Sequence, residues 1–93
     1  MGCRVESSRD SWSLEEIRSG GLLDFGKAKA EIPSTSGRWR LEGFLLADMA
    51  KKTFIGRNAE LFDPSGKRVA QGAEIVVPAG APDRFEVVKK GNI

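Results

Sequence analysis

The chain has 93 residues, of which 40% are hydrophobic and 30% charged, and its formal net charge is +2. It contains no histidine, no tyrosine and one cysteine. Histidine is the side chain best suited to acid and base work near pH 7 and the commonest metal ligand, so imidazole-based triads are excluded and zinc sites are disfavoured. The length and composition are those of one globular domain with a modest core.

The hydrophobic residues are too dispersed for a membrane span. The longest apolar run covers residues 44–47, whereas a spanning helix needs roughly 18 apolar residues. The single cysteine, Cys3, cannot form an internal disulfide or a CxxC site, which fits a reducing compartment. We therefore expect a cytoplasmic protein without membrane association, metal or cofactor.

The N-terminal part divides into an arm and a short helix. Residues 1–11 are polar and patternless, which predicts a mobile arm ahead of a single β-rich domain, residues 12–93. Ser13 and Glu16 have the spacing of a capping box, with Trp12 and Ile17 at the positions of a hydrophobic staple. Two glycines at 20–21 suit a helix C-cap, so a helix is predicted over residues 14–19.

Strand patterns dominate after residue 21. In residues 23–32 the apolar positions change phase at Gly26, which predicts a β-bulge. Residues 33–37 form a turn cluster. Residues 38–45 alternate, so that Trp39 faces the core while Arg38 and Arg40 face solvent.

Residues 45–52 are ambiguous. Good helix formers and two final lysines favour a helix. The alternative, which we prefer, is a strand that ends near Ala47 and is followed by a turn. In that case Asp48 is a loop or capping residue that faces water.

A β-hairpin is the clearest long-range signal. Asp63, Pro64 and Gly66 occupy the positions that these residues prefer in a type I turn closed by a residue with positive φ. The second arm, residues 67–77, is predicted to place Val69, Ala73, Ile75 and Val77 on one face. Residues 84–88 supply a last strand.

These elements predict a β-dominated α+β fold. We expect a small antiparallel sheet or partly closed barrel of five to six strands, with one short N-terminal helix. So few helical residues cannot cover a sheet, and sheet edges need protection. A homo-oligomer or a protein partner is therefore expected.

Basic residues define a candidate binding surface. Residues 37–93 carry 10 basic and 7 acidic groups, a difference of +3. The predicted contact residues are Arg38, Arg40, Lys51, Lys52 and Arg57. With Trp39 as an aromatic platform they would suit a barrel that binds single-stranded nucleic acid. Against this, strand alternation sends Trp39 to the face opposite the two arginines.

Carboxylate chemistry is the third possibility. Asp48 lies among apolar neighbours, and a buried carboxylate at a pocket wall could act as an acid or base. Residues 62–72, FDPSGKRVAQG, resemble the strand-DxxGxxVAxG-strand hairpin of many hot-dog-fold thioesterases, enzymes that often use a carboxylate rather than histidine. That resemblance implies a small-molecule-binding protein or carboxylate-based enzyme. The family's long central helix and catalytic segment are not evident, so no catalytic residue is carried over.

The sequence thus favours a small non-catalytic binding or assembly module that acts through protein contacts or self-association. A single-strand-binding barrel and a hot-dog-like enzyme are the alternatives. The strongest signals, the cap at Ser13 and the turn at Asp63, concern folding rather than chemistry.

Overall fold

The computed structural model describes residues 4–7, 22–48 and 50–90. They form one antiparallel sheet in which strands that are consecutive in sequence are also neighbours, in the order β1 to β6. The strands are β1 (Arg4–Ser7), β2 (Leu22–Ser34), β3 (Gly37–Asp48), β4 (Thr53–Phe62), β5 (Arg68–Pro78) and β6 (Glu86–Lys89), with a 3₁₀ turn at Pro82–Arg84. The predicted β-dominated antiparallel fold is confirmed, as an open sheet rather than a closed barrel. The predicted helix, residues 14–19, lies outside the described residues.

The first strand was not expected. Arg4–Ser7 falls within the predicted mobile arm but pairs with β2, from Arg4 opposite Glu31 to Ser7 opposite Ala28. Val5 explains the difference, because it is partly buried against the core. One apolar residue in a polar stretch is enough to dock a short edge strand when a partner strand is already in place.

The ambiguous segment, residues 45–52, is the end of a strand followed by a turn, which is the alternative that we prefer from the sequence. β3 continues to Asp48, and β4 starts at Thr53. The Asp48 Oδ1 atom accepts hydrogen bonds from the backbone N–H groups of Ala50 and Lys51, each at 3.1 Å. The carboxylate therefore caps the turn, in the role predicted for it.

The predicted hairpin turn is also confirmed. The Gly66 N–H donates to the Asp63 carbonyl at 2.9 Å, and Gly66 has a φ of 90°. The Asp63 Oδ1 atom accepts from the Ser65 hydroxyl at 2.6 Å and from the backbone N–H groups of Ser65 and Lys67. The Ser65 hydroxyl contributes most to a lowered pKa of the Asp63 carboxyl.

The face predicted for the second hairpin arm is partly wrong. Ile75 and Val77 are fully buried as expected, but the buried positions change phase between Gly72 and Ile75. Ala70 therefore packs against the core and its neighbour Val69 is 37% exposed. Pairing also shifts at the turn, from Leu61 opposite Ala70 to Phe62 opposite Arg68, which leaves Val69 as an extra residue. A bulge beside a turn depends on the partner strand, which alternation within one strand does not reveal.

Three of the four long strands, β2, β4 and β5, change the phase of their buried positions along one line across the sheet. The breaks in β2 and β4 fall at Gly26 and Asn58, which have positive φ values of 67° and 47°. β3 keeps one phase throughout, although Gly43, which lies on this line, has a φ of 144°. In β5 the buried residues change phase between Gly72 and Ile75. Such breaks bend strands while keeping apolar side chains on one face, so the sheet has two halves that share one inner face.

The core lies on that inner face. Its buried members come from all four long strands: Leu23, Ala28, Ala30, Ile32, Trp39, Leu41, Leu45, Ala47, Phe54, Ala59, Leu61, Ile75 and Val77. Trp39 is 9% exposed, as predicted for a core residue, and its Nε1–H donates to the Ser34 hydroxyl at 3.1 Å. Within the described ranges no helix is long and apolar enough to cross a membrane.

Candidate protein-interaction surface

Strand register defines the outer face of the half-sheet that holds the β3–β4 turn. Directly paired residues share a face, so three rows of side chains point away from the core. The first row is Leu22, Asp48, Thr53 and Pro78; the second is Asp24, Leu46, Ile55, Val76 and Glu86; the third is Lys27, Phe44, Arg57, Glu74 and Lys89. The core residues Leu45 and Phe54 alternate with them on the inner face.

Large apolar side chains occupy the middle of this outer face. Leu22 is 59% exposed and Phe44 is 52% exposed. Leu46, Ile55 and Val76, in register on three adjacent strands, are half-buried and do not belong to the core cluster. These five residues are called the outer apolar patch. Single apolar residues are common on protein surfaces, whereas a group of five on one face is typical of sites where proteins associate.

Two of the acids beside the patch, Asp24 and Asp48, are engaged in backbone contacts. The Asp24 Oδ1 atom accepts from the Gly26 N–H at 2.8 Å and stabilises the bulge. Asp48 caps the turn that follows β3. Their carboxylates hold local structure, which leaves Lys27, Arg57 and Glu74 as the charged groups beside Phe44.

Arg38 and Arg40 lie in the other half of the sheet and are paired with acids. The Arg38 guanidinium lies 3.7 Å from a carboxylate oxygen of Glu31, and Arg40 forms an ion pair with Glu42. The Arg40 guanidinium also stacks 4.6 Å from the centroid of Phe62. Two arginines matched by acids do not make a basic strip for a phosphate backbone.

The other predicted contact residues lie elsewhere. Lys51 and Lys52 are exposed in the β3–β4 turn, where the Lys52 carbonyl accepts from the Ala79 N–H at 2.9 Å. Arg57 is exposed in the third outer row, five residues along β4 from Phe62, which pairs with Arg40. That separation is about 17 Å. The five basic residues are thus spread along the sheet, and Arg57 is the one paired directly with a residue of the outer apolar patch.

Trp39 does not supply a platform for bases. Its indole is buried, hydrogen-bonded to Ser34, and packed at 6.4 Å from the Phe85 ring centroid. Stacking on a nucleobase requires an exposed ring. The aromatic ring that is exposed beside basic groups is Phe44, which sequence analysis noted only as part of an apolar run.

Two open grooves lie among the described residues. The larger, about 770 Å³, runs beside β5 and is lined by small side chains such as Ala59, Ala70 and Gly72. Its acid, Glu60, is ion-paired with Arg68 at 3.0 Å. The smaller, about 320 Å³, has Glu42 on its wall, already paired with Arg40. No acid in the described ranges is buried, so the condition for a carboxylate site is not met there.

The described residues contain no group of three or more metal-binding side chains. They also contain no long helix, which the resemblance to hot-dog-fold enzymes would require; the helical element found there is the turn at Pro82–Arg84. No family model matches the sequence, and neither curated proteins nor solved structures give a significant match.

A sequence signal for the outer apolar patch did exist. Residues 44–47 are consecutively apolar in a segment that alternates elsewhere. Because neighbouring residues of a strand face opposite sides, such a run places apolar groups on both faces. Phe44 and Leu46 therefore had to point away from Leu45 and Ala47, and that inference identifies two of the five residues of the patch.

Proposed function

We propose that this protein is a non-catalytic assembly module that self-associates through the outer apolar patch. The observation that carries the proposal is the exposure of Phe44 and Leu22 beside the half-buried row of Leu46, Ile55 and Val76. These side chains contribute nothing to the core cluster. Their burial against a second surface would release water and favour association.

The size of the outer face determines how strongly two copies are expected to associate. Three rows along four strands span about 13 by 14 Å between Cα atoms, and with side chains the footprint is roughly 400 Å². That area includes the charged and polar residues of the three rows together with the five apolar ones. A dimer burying roughly 800 Å² in total lies at the weak end of specific interfaces, so dissociation constants in the micromolar range are expected.

The chemistry of the surroundings supports binding rather than catalysis. The chain has no histidine, and two of the acids next to the patch, Asp24 and Asp48, hydrogen-bond to backbone N–H groups. An apolar centre with a charged rim is the composition of a protein interface.

The test replaces Phe44 by serine in the full chain and measures association by sedimentation equilibrium. Because Phe44 is half-exposed and packs outside the core, folding should be unaffected, as circular dichroism would show. The dimer should weaken by about tenfold or more, the usual effect of truncating a central aromatic residue.

Val69→Ser is the matched control. Val69 is also an exposed apolar strand residue, but it lies at the hairpin turn and outside the patch. Association should be unchanged in this variant. Equal association of Phe44→Ser and the unmodified chain, or no association of the unmodified chain up to millimolar concentration, contradicts the proposal.

A further inference from the structure

The third outer row has a charge order that is complementary to itself. From β2 to β5 it reads Lys27, Phe44, Arg57, Glu74, in direct register, and Lys89 of β6 follows Glu74. Over the four long strands a positive group stands at one end and a negative group at the other, about 14 Å apart across three strand spacings. When a second copy of this row is rotated by 180° and placed against the first, each charged end faces the oppositely charged end of the other copy.

We propose that two copies pack their outer faces together about a two-fold axis that runs parallel to the strands, between β3 and β4. This proposal rests on the proposed function and adds the geometry of the partner. The rotation exchanges β2 with β5 and β3 with β4. Lys27 then faces Glu74 of the second copy, and Phe44 faces Arg57 of the second copy.

The second outer row fits the same axis. Leu46 and Ile55 are paired on β3 and β4, so the rotation places each against the other residue of the second copy and forms an apolar centre. Charged residues lie outside that centre, where ion pairs stay partly solvated. A two-fold interface of this kind is isologous and closes after two copies.

Other positions of the two-fold axis bring less compatible side chains together. An axis on β3 sets Lys27 against Arg57 of the second copy, and an axis on β4 sets Arg57 against itself. An axis between β4 and β5 sets Glu86 against Leu46. An axis perpendicular to the strands sets Phe44 against Asp48. Like charges in contact and acids set against apolar groups both oppose association. The proposed axis does set Asp24 against Val76 of the second copy, but it joins Lys27 to Glu74 and places no acid on Leu46 or Phe44.

The packing angle is compatible with these contacts. Face-to-face sheets pack with strands about 30° apart. At Lys27, about 7 Å from the axis in the sheet plane, that angle displaces the facing residue by a few ångström. Lysine and glutamate side chains are long enough to span this displacement.

Charge reversal tests the arrangement in the full chain. Lys27→Glu places two acids together at both symmetry-related contacts, and Glu74→Lys places two lysines together. Each variant alone should dimerise at least about tenfold more weakly than the unmodified chain. Mixed in equal amounts, the two variants should form a heterodimer at least as tight as the original homodimer, because both contacts again join opposite charges.

The matched control pair is Lys67→Glu and Asp83→Lys, which reverses exposed charges in the hairpin turn and the 3₁₀ turn. This pair should leave homodimerisation unchanged and gain nothing on mixing. Sedimentation equilibrium of each variant and each mixture gives the readout.

The outcomes separate the two proposals. If Phe44→Ser weakens the dimer but the charge reversals have no effect, or their mixture does not associate, the packing geometry is overturned and self-association through the patch stands. If Phe44→Ser has no effect on the dimer, the proposed function itself is overturned.

Discussion

Gly43 lies in β3 where the pairing with β4 shifts register, and the backbone of β4 lies close to it. Its φ is 144°, which L side chains rarely adopt. A Cβ atom at this position would lie 2.8 Å from the Ala59 Cα atom and 2.9 Å from the Asn58 carbonyl oxygen. Both obstacles are backbone, so no side-chain rotation could relieve them.

Gly43→Ala should therefore destabilise the fold by about 2–4 kcal/mol, from backbone strain together with the close contact. Gly80→Ala is the control, because nothing lies within 4 Å of a Cβ at that position and Gly80 has no positive φ. Urea unfolding of the two variants measures the difference. Equal stability of the two variants would show that the fold does not require a glycine at position 43.

For single residues, the sequence identifies those whose role depends on their neighbours in the chain. Gly26 and Asp48 were predicted correctly because a bulge and a capped turn involve neighbours in the chain. Phe44 was missed as a surface residue, and the ion pairs of Arg38 and Arg40 were not foreseen. Those features depend on which residues the adjacent strand presents, and register is not visible in one strand.

Among the elements, the hairpin of β4 and β5 has a pH-sensitive turn. The pKa of Asp63 lies below its ordinary value of 3.8, chiefly because the Ser65 hydroxyl donates to the carboxylate. A folded-state pKa below the unfolded one means that the ionised carboxylate stabilises the folded state at pH values above 3.8. This contribution is lost as the pH falls through the lower, folded pKa.

Ser65→Ala should raise the pKa of Asp63 toward 3.8 and so reduce the loss of stability in acid. An NMR titration of the Asp63 carboxyl carbon, with urea unfolding at pH 7 and pH 2, tests this expectation. If the Asp63 titration is the same with and without the Ser65 hydroxyl, the assigned cause of the lowered pKa is wrong.

The elements themselves were largely predictable from β2 onward. The turn at Asp63 and the strand end before Thr53 were expected because turn residues act locally. Two features were not expected: β1, and the phase change in β5 that leaves Val69 exposed. Both arise from pairing with a distant strand, so local pattern and propensity could not specify them.

For the whole molecule, the bend line separates two halves with different outer faces. One half carries ion pairs between neighbouring strands, such as Arg68 with Glu60. The other half carries the outer apolar patch around Phe44. The sequence predicted a sheet that needs covering, but the patch became visible only once register had placed five apolar residues from four strands together.

The central claim is that this outer face joins two copies of the chain. Sedimentation equilibrium of the unmodified protein, from low micromolar to millimolar concentration, tests it most directly. The weight-average mass should rise from that of one chain toward that of two and should then level off, because a two-fold interface closes. A mass that stays at one chain throughout the range, or that rises beyond two without levelling, would contradict the account.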